Sequence, residues 1–172
     1  MLALNEVAGM AQKAARGAGF PVGQAEDLGR IAAYLAGTGA SVAPVTAALQ
    51  EPVSNIDVRW SDGSVEVHAG PAALIGPVIR DAFAMGCNKA VLADISHAPL
   101  VGAFLAENGV AQNWDGVTVT VSDTTILAAK CKPVTIPQED WNVWSECAAK
   151  TYVPETEASR LAGAGAGLTD ND

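Results

Sequence analysis

The sequence predicts an α/β fold, α+β mixed in its strand pairing. An N-terminal pair of helices leads into a mixed sheet of about five strands, covered by helices and followed by a C-terminal tail. Three observations carry this. Apolar residues recur at helical spacing through the first 50 residues, and the period then drops to two in "NIDVRWSDGSVEVHAG" and again in "GVTVTVSDTTILAA". Between these lies one apolar run, "KAVLADI", flanked by helical patterns. Hairpins impose antiparallel pairing, while a strand set between helices can pair in parallel, so two hairpins and one central strand make a mixed sheet.

The elements follow in order. Asn5 is placed to cap the first helix, with Glu6 in its first turn, Lys13 and Arg16 in its last, and Gly17 and Gly19 to stop it. A second helix spans about Gly23 to Ala36, with Ala25, Leu28, Ile31, Ala32 and Leu35 on one face and Gly37 at its end. A short third helix is expected near Pro44 to Gln50. Ile56, Val58 and Trp60 alternate with polar residues up to the turn Ser61-Asp62-Gly63, and Val65 and Val67 continue the apolar face with His68 on the polar one. "PAALIGPVIRDAFAMG" is helical, and the cost of an internal proline places its regular start close to Pro77. After the central strand, Ser96 is expected to cap a helix running to Glu107, with Pro99 in its first turn. The second hairpin follows. A last helix opens near Pro137, with Trp141, Trp144, Cys147 and Ala148 on one face. From Thr151 on, no periodicity remains. The chain reads as a single domain over 1–172: helices over 1–50, an α/β core over 55–150, and a glycine-rich tail over 151–172.

Composition narrows the function. Across 172 residues the hydrophobic fraction is 49% and the formal charge is -9. Such a chain repels phosphate backbones, and no basic cluster offsets the charge, so no nucleic acid and no anionic membrane is expected as a partner. No run approaches the roughly 18 apolar residues of a membrane span, and the first residues lack a signal-peptide pattern. Cys87, Cys131 and Cys147 are widely spaced without a Cys-x-x-Cys, which points to a reduced, cytoplasmic setting. No His or Cys spacing supports a zinc site, no metal ligands are assigned, and the sequence leaves any cofactor unknown. A buried thiol is expected at Cys147. Cys131, between Lys130 and Lys132, is the thiol whose neighbours would make it reactive if exposed.

The tail raises the main functional question. "SRLAGAGAGLTDND" follows a helix and a polar segment, whereas a dinucleotide loop follows a strand and opens a helix, so its glycines are not read as a Rossmann fingerprint. A glycine-rich end can be a plain terminus. It can also bring backbone amides close to a ligand or a partner. Ser159 and Arg160 suit an anion, and Asp170 and Asp172 concentrate negative charge. His97, just past the central strand, stands where open sheets often present site residues, although a lone histidine there also serves local hydrogen bonding.

Both ends of the chain resemble a bacterial family known only as a domain of unknown function. The resemblance rests on "LNEVAGMAQKAARGAGFPVGQAEDLGRIAAYLA" at residues 4–36 and "TYVPETEASRLAGAGAGLTDND" at 151–172. It implies that Asn5, Glu6, Lys13, Arg16, Gly17, Gly19, Glu26, Tyr152, Pro154, Ser159, Arg160 and the tail from Gly163 match the family motif. It carries no established activity.

The expectation is therefore a pocket where the N-terminal helices meet the tail, taking a small anionic, carboxylate-bearing metabolite. Lys13, Arg16, Tyr152, Ser159, Arg160, Gly165, Gly167, Asp170 and Asp172 are its binding candidates. Glu6, Glu26 and His97 are its candidates for acid–base chemistry. The alternative is a non-catalytic subunit whose tail docks on another chain, a second copy or a partner enzyme.

Overall fold

The structure, a computed structural model, describes residues 1–122 and 133–152. Among these residues lie six α-helices and five strands: α1 Leu4–Gly17, α2 Val22–Thr38, α3 Ala43–Gln50, β1 Asp57–Ser61, β2 Ser64–Ala69, α4 Ala72–Ala84, β3 Lys89–Val91, α5 Ala98–Glu107, β4 Gln112–Asp115, β5 Thr118–Val121 and α6 Gln138–Ala149. The strands form one mixed sheet in the order β1-β2-β3-β5-β4. β3 is the central strand, parallel to β2 and antiparallel to β5, with a hairpin on either side.

Register explains the sheet's two faces. Val58 pairs with Val67, Trp60 with Val65, Val65 with Ala90, Ala90 with Val119 and Val119 with Trp114, so these side chains share one face. The core beneath it is Ile75, Ile79, Ala82 and Phe83 of α4 with Val101 and Leu105 of α5. The opposite face carries Arg59, Glu66, Lys89, Thr118, Thr120, Asn113 and Asp115.

α4 and α5 are apolar on two sides because they form a middle layer. Their other side, through Ala72, Ala73, Leu100, Ala103 and Phe104, joins a second core built from α1, α2, α3 and α6. Small residues let this helical layer close up. A Cβ at Gly29 would stand 2.8 Å from the Ala8 carbonyl oxygen, and one at Gly17 would overlap the Cys147 carbonyl. Trp144, fully buried, donates its indole N–H to Thr46 Oγ1 at 2.9 Å, and Thr46 donates in turn to the buried Asp140 at 2.5 Å. This relay fixes α6 on α3.

Several local expectations need correction. α1 begins at Leu4, so Asn5 lies inside it. Ala3 is the N-cap residue, and its backbone N–H donates to Glu6 Oε2 at 2.7 Å. α2 continues through Gly37 to Thr38 and ends on Gly39, whose φ of 78° suits a left-handed cap. α4 is one helix from Ala72, with Pro77 inside it. Burial of Pro77 with Ile75 and Ile79, and the seating of Phe104 against Gly76, offset the lost backbone bond. Asp94, not Ser96, caps the turn after β3: its carboxylate accepts from Ser96 N at 2.8 Å, and a short 3-10 turn, Ile95–His97, precedes α5. The second hairpin is β4–β5, turning at Gly116, so the sequence reading missed β4. The second half of the predicted hairpin, 123–129, lies outside the described residues, as does Cys131.

Candidate functional site

α1 presents Glu6, Gly9, Met10 and Lys13 as a stripe at three- and four-residue spacing. With Leu2, with Trp141 of α6 and with Tyr152 just beyond it, the stripe encloses a cleft of about 310 Å³. Leu2 is held in the wall by a two-bond bridge to Val134, with N···O distances of 2.8 and 3.0 Å. Trp141 is held from behind by Trp144, with ring centroids 6.3 Å apart and planes tilted at 42°. Tyr152 is 68% exposed. Three of the predicted site residues, Glu6, Lys13 and Tyr152, thus line one hollow.

Charge distinguishes this cleft from three larger ones. A hollow of about 540 Å³ beside the C-terminal end of α4 includes Arg80, and one of about 420 Å³ between α1 and α2 includes Arg30. Both guanidiniums are committed. Arg30 lies 2.6 Å from Asp27 and 3.6 Å from Glu107, and Arg80 lies 3.0 Å from Asp81 and 3.7 Å from Asp27. A third, of about 520 Å³ at the α2–α3 turn, has no ionisable side chain in its lining. Lys13 has no hydrogen-bond or ion-pair partner among the described residues. The cleft therefore pairs an uncommitted ammonium with two aromatic rings. At its other end stands Glu6, with one oxygen already bound to the helix start.

The remaining candidates fall elsewhere. Arg16 is exposed in the last turn of α1, and Glu26 is exposed on α2, neither of them lining this cleft. Ser159, Arg160, Gly165, Gly167, Asp170 and Asp172 lie outside the described residues. His97 sits past the carboxyl end of β3, with its Nε2 3.9 Å from Glu51 Oε1 and its Nδ1 buried without a partner among the described residues. Glu51 also accepts the Ala72 backbone N–H at the start of α4, at 2.9 Å. Sequence reasoning missed Glu51, because its partners stand 21 and 46 positions away and no local spacing marks them. Asp94 is exposed, and its carboxyl is held below the usual carboxylate range, chiefly by the Ser96 backbone N–H, then by the Ser96 hydroxyl and the nearby His97. Cys147 is a buried free thiol. Among the described residues no group of three or more His, Cys, Asp or Glu side chains could hold a metal, and no helix is long and apolar enough to cross a membrane.

The family resemblance is borne out at the N-terminal end. The model of a family described as "Protein of unknown function (DUF3726)" matches residues 2–69, from the strand-like contact at Leu2 to the end of β2. No curated protein and no solved structure matches the chain.

Proposed function

We propose that this chain, whose N-terminal end carries that family's pattern, binds a small carboxylate metabolite in the cleft between α1 and α6. The observation that supports it is the Lys13 ammonium, without a partner among the described residues, in a hollow whose size, about 310 Å³, lies at the small end of the usual range for ligand sites. The Tyr152 hydroxyl, in the same lining, supplies a neutral donor to a carboxylate. Ser159 and Arg160 are the sequence-based candidates to complete the wall, since the chain runs on toward them from Tyr152. Free Cys87 and Cys147 fit a reduced, cytoplasmic setting.

Lys13 is exposed, so its removal leaves the core untouched. In calorimetric titrations with a panel of small carboxylates, Lys13→Ala should weaken binding by about tenfold or more, the effect of losing one charge-assisted hydrogen bond. Unchanged affinity in a folded variant would refute the proposal.

A further inference from the structure

We infer that the ligand of the α1–α6 cleft is a monocarboxylate carried on a flat aromatic ring, seated over Gly9 and against Trp141. This rests on the proposed carboxylate site and names its ligand class.

The first observation is Gly9 itself. A glycine in the interior of a fourteen-residue helix is less favourable than alanine. Gly17 and Gly29 have a packing reason, because a Cβ at either would strike backbone. Among the described residues, a Cβ at Gly9 would meet nothing within 4 Å. Gly9 lines the cleft, so what its missing side chain provides is room inside the cleft.

The second observation is the facing wall. Trp141 is half-buried and braced by Trp144, and its indole N–H has no partner among the described residues. Tyr152 adds an exposed ring, and Met10 adds a polarizable thioether of the kind that favours ring edges. Such a wall discriminates a π-system from a saturated chain. The third observation is polarity along the stripe. Lys13 and Glu6 are seven residues apart, about 10 Å along the helix. The Lys13 end attracts one carboxylate, and the Glu6 end repels a second.

The test titrates the ¹⁵N-labelled full chain with benzoate, cyclohexanecarboxylate and acetate, reading the Gly9 and Lys13 amides and the Trp141 indole resonance. Benzoate should bind about 3- to 10-fold more tightly than its saturated counterpart, the range a ring–ring contact supplies. Trp141→Leu should bring that ratio near one while the residual binding still depends on Lys13. Gly9→Ala should raise Tm and weaken benzoate by about tenfold, as a methyl fills the seat. Equal, Lys13-dependent affinity for benzoate and cyclohexanecarboxylate would overturn the aromatic assignment and leave the carboxylate site standing. Full affinity in Gly9→Ala would overturn the seat over Gly9. Binding indifferent to Lys13, or none from any probe, would overturn both readings.

Discussion

Gly9 and Gly17 occupy the same helix, eight positions apart, and alanine should act on them in opposite directions. At Gly9 the new methyl meets nothing within 4 Å among the described residues, so the change gains helix propensity and restricts the unfolded chain without a clash. The expected gain is about 1 kcal/mol, roughly 2–4 °C in Tm for a domain of this size. At Gly17 the Cβ would lie 1.8 Å from the Cys147 oxygen and 2.7 Å from its carbonyl carbon. Both atoms are backbone, so no rotamer change relieves the overlap, and α1 must move away from α6. That should cost about 3 kcal/mol, the upper end for overpacking, or roughly 6–12 °C. Urea and thermal denaturation of the two variants, followed by far-ultraviolet circular dichroism, measure both. A Gly17→Ala protein as stable as wild type would refute the close approach of α1 and α6, and with it the cleft between them. A destabilised Gly9→Ala would mean that the stripe is packed rather than open.

Thr46→Val keeps the shape of the side chain but removes the hydroxyl that both accepts from Trp144 and donates to Asp140. With the indole N–H and the buried carboxylate left short of a partner, urea unfolding should show a loss of about 2–4 kcal/mol, and a loss under about 1 would break the relay as described. Asp94 sets an acid dependence. A carboxyl whose folded pKa lies below its unfolded value adds stability above the unfolded value, near 3.9, and loses it as pH falls through the folded one. The Tm gap between wild type and Asp94→Asn should therefore be constant from pH 7 down to about 5 and close in stronger acid. A gap that already closes between pH 7 and 5 would remove the Asp94 carboxylate as its source.

The periods of the sequence carried most of the fold. Val58, Trp60, Val65 and Val67 alternate around Asp62-Gly63, and only a hairpin sets them on one face, where Val65 and Val67 are buried. The helical faces of α1, α2 and α6 are equally local, since three- and four-residue spacing places their apolar residues on one side wherever the helix docks. Where local rules compete with packing, the reading slipped. Pro77 signals a helix start by its chemistry, yet burial of the α4 face carries the helix through it. β4, "QNWD", has no apolar run of its own and is a strand because β5 pairs with it.

For the candidate site, Glu6 and Lys13 on the first helix and the tryptophans at helical spacing on the last were legible by themselves, whereas Gly9 carried no signal in the sequence. Tertiary structure alone decided that Lys13 stands uncommitted among the described residues while Arg30 and Arg80 are paired, because pairing depends on which helices cross. It alone set Glu51 against His97, and it alone separated Gly17, pressed on a carbonyl, from Gly9, open to the cleft. Period and propensity are properties of neighbours in the chain. Committed charge and open space are properties of neighbours in space, and those exist only once the helices have packed.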